Sequence, residues 1–343
     1  MDPTPPPALP PTVRLARHRS VLDIGLDARV IGLDPDTALV VDGLSPPLAA
    51  LLDRLAARTV TEDLVAQAAA DGVPADTTSA LLRRLFDAGA LVDAGGAERA
   101  ARARADAVAI VSGRGPLAVG IVTGLLHGGT GTVYCATGGL VRGTDLGTGY
   151  VDAERGTPRA AATQAAVHRL LPSADTRSPP ARAVADLVVL ADEMPDPVLV
   201  ATLRADGVPH LAVRLRDGTG IVGPLVLPGR TACLGCLDLA RGSLDARWPV
   251  VAARLIGWAG AADPACVTAT AGLAVAQAVA AIEGRRPPTL DATLELDVDA
   301  GTLVRRHWVA HSQCPCGAAG PSGEPAHDAV TSASRPKGDT IMR

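Results

Sequence analysis

Four cysteines in two close pairs are the clearest chemical signature of this sequence. Cys233 and Cys236 are separated by two residues, and Cys314 and Cys316 by one. Such spacing lets both thiolates of a pair turn onto one metal ion, and a structural zinc prefers four soft ligands in a closed tetrahedron. A long stretch of chain lies between the pairs, so the fold has to bring them together. The sequence therefore predicts one structural Zn²⁺ bound by these four residues.

Two disulfides or four unrelated thiols are the alternatives to a metal site. No secretory signal is visible, so we expect a cytoplasmic protein whose thiols stay reduced, and this favours zinc. The remaining cysteines, Cys135 and Cys266, stand alone in apolar stretches. We expect both to be buried as small hydrophobic residues.

Composition disfavours two classes of partner. The net charge of −4 argues against a nucleic-acid surface, while the 48% of hydrophobic residues is enough for a large core. The only lysine is Lys337 in a polar tail, so no folded region can offer a lysine to a phosphate. The longest apolar stretch, Cys266 to Ile282, falls short of the roughly 20 apolar residues that span a bilayer. It predicts a buried helix and no membrane span, and it also makes a homodimer plausible.

The N-terminal part of the chain predicts a small separate domain. Residues 1–12 are rich in proline and are expected to be disordered. Residues 13–93 begin with short apolar runs over 20–41 that are typical of an antiparallel meander. Three helical segments and a short closing strand follow. This order of elements predicts a winged-helix domain.

Charge decides between two uses of such a domain. Between residues 51 and 93, seven acidic residues stand against four basic ones, which leaves little to neutralise DNA phosphates. An exposed strand edge can instead accept an extended peptide by main-chain hydrogen bonding. We expect a peptide at the edge of the 20–41 meander, packed against the third helix near Leu82 and Phe86. A DNA-binding regulator is the weaker alternative.

The rest of the chain predicts an α/β domain over residues 107–317. A polar linker over 94–106 precedes it, and a disordered tail over 318–343 follows it. Buried strands alternate with helices, which is typical of a Rossmann-like fold. A hairpin near the end of the domain delivers the second cysteine pair. His210 lies within an apolar run and is expected to be a core histidine.

A glycine-rich turn follows the first strand of this domain. It contains Gly113, Gly115 and Gly120, an arrangement that can place a helix N-terminus against the phosphates of a nucleotide. Such glycines also permit close packing of the helix on the strand. The second strand ends at Cys135, where a nucleotide site would need an acidic residue for the ribose. We therefore predict the fold without the nucleotide, so no cofactor-binding residue is assigned to this degenerate turn and ATP is not expected.

One stretch of the sequence carries a resemblance to a known family. The segment from Gly223 to Leu239, which includes the first cysteine pair, resembles the ThiF-like cyclodehydratase proteins of peptide natural-product clusters. The run Arg247-Trp248-Pro249 and the run from His311 to Cys316 match the same pattern. The resemblance covers roughly residues 13–317. It implies a ThiF/MoeB-type fold and a PqqD-like N-terminal element that recognises a precursor peptide. It also implies a YcaO-type partner enzyme that makes thiazolines and oxazolines.

The chain departs from the adenylating members of that family. Those members use an acidic residue after the second strand, an arginine beyond it and a lysine at the phosphates. Here the acid and the lysine are missing, Arg142 and Asp145 stand in a different order, and Asp192 is expected to be a strand-end residue rather than a magnesium ligand. The resemblance then implies a noncatalytic partner, with no catalytic residue of its own, that presents a leader-bearing precursor to the YcaO enzyme. The alternative is an ATP-dependent adenylyltransferase that acts on a peptide or carrier protein, with Arg114 or Arg142 at the phosphates.

Overall fold

The computed structural model describes residues 8–146, 149–174, 176, 179–180 and 183–319. The chain divides into two compact units, Met1–Arg102 and Ala103–Arg343. Most of the two segments predicted to be disordered, residues 1–7 and 320–343, lies outside the described residues. At their inner ends, Thr12 begins a strand, and Ala318 and Ala319 are buried.

The first unit contains two three-stranded antiparallel sheets. One has β1 (Thr12–Leu15) between β5 (Thr59–Val60) and β6 (Leu91–Asp93). The other is the predicted meander, with β2 (Val21–Gly25), β3 (Ala28–Ile31) and β4 (Leu39–Val41) in that order. Within the described residues, β2 and β4 each pair on one side only.

Three helices complete the first unit before residue 94. They are α1 (Pro46–Arg54), α2 (Thr61–Ala70) and α3 (Ala75–Asp87). Proline starts α1 because its missing N–H is one that the first helical turn does not use. Leucines repeat at helical spacing, so that Leu51, Leu52 and Leu82 lie on inward faces and are fully buried. The unit thus has its own hydrophobic core.

The segment predicted to be a polar linker is helical. It forms α4 (Ala94–Asp106), and the division between the two units falls inside this helix. Alanine and arginine are strong helix formers, and their sum outweighs the cost of the adjacent Gly95 and Gly96. The prediction of a polar linker over residues 94–106 therefore missed this helix.

The second unit is built on one seven-stranded sheet in the order β13-β12-β11-β10-β9-β7-β8. Neighbouring strands from β8 to β10 run parallel, and those from β10 to β13 run antiparallel. The mixed α/β architecture that the sequence predicted is therefore present. The strands are β7 (Val108–Ser112), β8 (Thr132–Ala136), β9 (Leu187–Leu190), β10 (His210–Arg216), β11 (Thr219–Val226), β12 (Ala292–Asp297) and β13 (Thr302–His307).

In the described part of the second unit, six α-helices cover this sheet or lie beside it. They are α5 (Pro116–His127), α6 (Arg159–Leu170), α7 (Pro197–Ala205), α8 (Leu234–Leu244), α9 (Trp248–Leu255) and α10 (Pro264–Ile282). By length and composition alone α10 could cross a membrane, but half of it is buried inside the unit. It packs on α5 through small residues, since a Cβ on Gly120 would lie 3.1 Å from the Cβ of Ala271. The apolar stretch is therefore a core helix, as the sequence predicted.

The isolated cysteines and the histidine lie in the core of the second unit. Cys135 and Cys266 are buried among aliphatic side chains, and burial raises the pKa of Cys135 to about 12. His210 is also buried, its Nδ1 lies 3.0 Å from the carbonyl oxygen of Val208, and burial lowers its pKa. All three positions match the sequence-based expectation of packing residues.

Core packing in the second unit can be tested with two leucines of opposite exposure. Leu211 on β10 is 0% exposed, whereas Leu244 at the end of α8 is 90% exposed. We expect Leu211→Ala to lower the free energy of unfolding by about 2–5 kcal/mol, because it leaves a cavity. Leu244→Ala should change it by no more than about 0.5 kcal/mol. Urea unfolding followed by circular dichroism measures both, and equal losses would contradict this core.

Candidate metal centre and the cleft at the sheet edge

The four paired cysteines come together in the second unit. Cys233 immediately precedes α8, and Cys236 lies in its first turn. Cys314 and Cys316 follow the edge strand β13, in a turn where the Cys314 amide donates to the carbonyl oxygen of His311. All four side chains are buried. The residues for which the sequence predicted a common site are thus brought together by two distant loops.

The sulfur atoms have the spacing of a tetrahedral metal site. The Sγ–Sγ distances are 3.5 Å for Cys233–Cys314, 3.6 Å for Cys236–Cys316 and 3.8 Å for Cys233–Cys236. A tetrahedron of Zn–S bonds of about 2.3 Å places its sulfurs about 3.8 Å apart. A disulfide would need about 2.05 Å, and all four cysteines are free. The donor set can therefore hold a metal ion, and its geometry suits zinc.

The surroundings of the cluster prepare it for a cation. The Cys233 thiol donates to Cys236 and, as the main cause, lowers the pKa of Cys236 to about 4. Oδ1 of Asp291 accepts a 2.7 Å hydrogen bond from the Ala232 amide, which ties the metal loop to the turn before β12. The side chain of His311 is not part of this cluster of candidate metal ligands.

The glycine-rich turn after β7 is shaped by packing. A Cβ on Gly113 would lie 2.7 Å from the carbonyl oxygen of Ala191, at the end of β9. Gly115 has a φ of +121°, which favours glycine, and its Cβ would lie 2.8 Å from the Cβ of Ala259. Together with the close contact of Gly120 to α10, these approaches require glycine whether or not a nucleotide binds.

A small cleft opens at the carboxyl ends of β7, β8 and β9. This is the edge at which open α/β sheets bind ligands. Its volume is about 200 Å³, below the range of about 300–1,000 Å³ that is typical of small-molecule sites. Its charged lining residues are Arg114, Asp192 and Asp196. One guanidinium therefore stands against two carboxylates.

Asp192 holds the glycine turn in place. Its Oδ1 accepts a 2.7 Å hydrogen bond from the backbone amide of Arg114. Burial raises the pKa of Asp192, and the nearby Arg114 and Arg159 act in the opposite direction. The position at the end of β9 is the strand-end place that the sequence predicted. The hydrogen bond gives this carboxylate a structural task at the cleft.

A buried ion pair beside the cleft was missed by sequence reasoning. Nε of Arg159 donates to Oδ2 of Asp145 over 3.0 Å, and its Nη1 donates to the carbonyl oxygen of Gly138. The same carboxylate accepts from the amide of Arg142, whose side chain is exposed. Asp145 stands out in the sequence as a charged residue, but nothing in the alanine-rich start of α6 indicates that Arg159 is its partner. The pair fixes the loop that forms one wall of the cleft.

The two residues predicted to contact a peptide lie in the first unit at different depths. Leu82 is 0% exposed, whereas Phe86 is only partly buried. A direct contact with a bound peptide is therefore possible for Phe86, while Leu82 is part of the core beneath.

The meander has an apolar face. On it, Leu22, Val30 and Val40 are in register, and Leu22 and Val40 are exposed. An apolar face thus adjoins both free strand edges.

Comparison with known proteins identifies the fold. No protein-family model and no curated protein matches this chain. The microcin C7 biosynthetic enzyme MccB, solved in complex with N-formylated MccA, is similar with a TM-score of 0.65 at 12% identity, over 89% of this chain and 99% of that one. Escherichia coli MccB solved with ATP is similar with a TM-score of 0.67 at 13% identity, over the same shares. The chain therefore has a fold like that of MccB, and the ThiF-like fold implied by the sequence is supported.

The metal centre makes a direct prediction. We expect purified protein to contain one zinc per chain and Cys236→Ser to reduce it to less than half an equivalent, because a structural site closes with four ligands. Loss of the metal should also lower the melting temperature of the second unit, since metal binding contributes folding free energy. Elemental analysis and thermal unfolding measure both.

Cys135→Ser is the matched control, because Cys135 is equally buried but outside the cluster. It should keep the full equivalent of zinc. A zinc content below half an equivalent in the wild-type protein, unchanged in Cys236→Ser, would contradict the site.

Proposed function

We propose that this chain is a noncatalytic peptide-binding protein. It captures the leader of a ribosomal precursor peptide and presents the core to a YcaO-type cyclodehydratase in the cytoplasm. The observation that carries the proposal is the sheet-edge cleft: it has the position of a nucleotide site but lacks the groups that would hold a triphosphate. A structural zinc at the four cysteines is part of this proposal, with a role in stability only.

Peptide binding is supported by the relatives in structure. MccB has been solved with the peptide N-formylated MccA, so a fold of this type can bind a precursor peptide. In the present chain the first unit offers the elements for that task. Its strands, three helices and closing strand follow the order of a winged-helix, PqqD-like recognition element. The free edges of β2 and β4 are open to strand addition.

Charge argues against adenylation by this chain. Transfer of an adenylyl group needs cationic groups aimed at the phosphates. Among the described residues that line the cleft, Arg114 is the only cation, and Asp192 and Asp196 oppose it. Arg159 is occupied by Asp145 and by the carbonyl oxygen of Gly138. The arrangement repels a triphosphate more than it attracts one.

An ATP-dependent adenylyltransferase is the second candidate. Two observations favour it: MccB has been solved with ATP, and the two carboxylates at the cleft are of the type that holds Mg²⁺. A DNA-binding regulator is a third and weaker candidate, since the excess of acidic residues in the first unit is unfavourable for DNA.

A homodimer is also part of the proposal, and it would use the exposed side of α10.

The absence of adenylation is tested by ATP–pyrophosphate exchange. We expect no exchange above background with the full chain and its precursor peptide, because the cleft does not neutralise a triphosphate. Asp192→Asn is the informative variant, since it removes a charge with little change of shape. Gly113→Val is unsuitable, because its side chain would collide with Ala191 with or without nucleotide. Exchange by the wild type that Asp192→Asn abolishes in a folded protein would favour the adenylyltransferase.

Strand addition is tested with backbone-methylated leader peptides. An added strand directs alternate N–H groups to its partner, so N-methylation of one alternate set should weaken binding at least about tenfold. Methylation of the other set should change the affinity less than about threefold. Fluorescence polarisation with a labelled leader measures both series. Equal losses in the two series would contradict strand addition.

A protein variant then locates the contact. Phe86→Ala should weaken leader binding, because it removes a partly buried ring that the sequence predicts to contact the peptide. Val60→Ala is the control, since Val60 is an apolar residue that is 42% exposed and lies on β5 of the other sheet. Retention of full affinity in Phe86→Ala would move the peptide away from α3.

A further inference from the structure

A second cleft lies beside the metal centre, away from the sheet-edge cleft. Its volume is about 480 Å³, within the range of ligand sites. Three parts of the second unit form its walls: the loop between β11 and Cys233, the turn between α10 and β12, and the end of β13. The proposed leader-capture role does not involve this cleft.

The cleft is basic in a chain that is acidic overall. Its lining carries Arg230, Arg286, Arg305 and His307 against a single carboxylate, Asp291. That carboxylate is engaged, because it accepts a hydrogen bond from the Ala232 amide. Among the described residues, no ion pair reaches Arg230 or Arg286. These exposed guanidinium groups are therefore available to an anionic ligand.

The walls of the cleft are held by specific contacts. Nε of Arg305 donates to the carbonyl oxygen of Pro288 over 3.0 Å, which orients this guanidinium. The indole of Trp308 donates to the Thr293 hydroxyl, and the Arg241 guanidinium lies 5.5 Å from its ring centroid. One wall ends at Ala232, which directly precedes the candidate metal ligand Cys233. The cleft is therefore a preformed site whose shape depends on the metal centre.

The neighbouring strand favours a peptide over a small anion. β13 is the terminal strand of the described sheet, and all of its residues are exposed. Arg305 and His307 stand two positions apart on it and so share one face. An extended chain laid along this edge can pair with the free backbone groups and direct alternate side chains at the cleft. Carboxylates on that chain would meet the guanidinium groups.

We propose that this cleft, together with the edge of β13, binds an extended acidic peptide segment, and that the metal centre keeps the site in shape. The occupant is a partner polypeptide rich in Glu or Asp, recognised by its carboxylates and by its backbone. The site is a second polypeptide contact, separate from the proposed leader contact in the first unit.

Fluorescence anisotropy with the full-length protein tests the proposal. A fluorescein-labelled hexaglutamate peptide should bind at least about tenfold tighter than the matching hexaglutamine peptide at low salt, and added salt should weaken it. The double variant Arg230→Gln/Arg286→Gln should lose at least about tenfold in affinity. The control Arg204→Gln/Arg254→Gln removes the same charge outside the cleft and should stay within about twofold.

Two further measurements test whether the site recognises a peptide rather than any small anion, and whether it needs the metal. Inorganic pyrophosphate should displace the peptide only at far higher concentration than unlabelled hexaglutamate does. Stripping the metal, with the anionic chelator dialysed away, should weaken binding, and added zinc should restore it. Equal affinities of the two double variants, or displacement by pyrophosphate at the concentration at which hexaglutamate acts, would overturn the proposal.

Discussion

The meeting of four buried thiols is the interaction on which the second unit most depends. It joins the loop after β11 to the segment after β13, and the chain between them contains α8 to α10 and the β12–β13 hairpin. Closing so long a loop costs entropy, and a metal clip offsets this most effectively when the loop is long. Burial raises the pKa of Cys314 to about 11, so a bound cation would favour the thiolate at that position. With a cation, the same burial excludes competing water.

The glycine turn shows how one residue pattern serves two purposes. In a nucleotide-binding fold, glycines let phosphates approach the backbone, and they also let the helix approach the sheet. Here close packing of neighbouring segments accounts for each glycine, because a Cβ on Gly113, Gly115 or Gly120 would meet an alanine of another segment. The glycines alone therefore do not distinguish a nucleotide site from a packing motif. The charges around the cleft, Arg114 against Asp192 and Asp196, are the feature that bears on this distinction.

Much of the architecture follows from local patterns in the sequence. The buried runs at β7, β9 and β10 are short, apolar and bounded by polar residues, so they could be predicted as strands. The cysteine spacing identified the four residues that come together, because chelation geometry is local within each pair. The helix α4 was missed because two adjacent glycines were given more weight than the alanines around them.

Other features depend on tertiary structure and leave no local signal. Arg159 pairs with Asp145 across a loop, and Leu82 belongs to a buried cluster whose members come from many parts of the first unit. The basic cleft combines Arg230, Arg286 and Arg305 from three separate loops and strands. No spacing rule connects such residues, since only the folded sheet brings them to one place.

Calorimetric titration of the precursor peptide, with and without ATP and Mg²⁺, tests the central claim most directly. A noncatalytic peptide-binding protein should bind the peptide with the same affinity in both conditions, and the nucleotide should be recovered as ATP. Two results would contradict this account: peptide binding that requires ATP, or the appearance of AMP and pyrophosphate in the calorimeter sample.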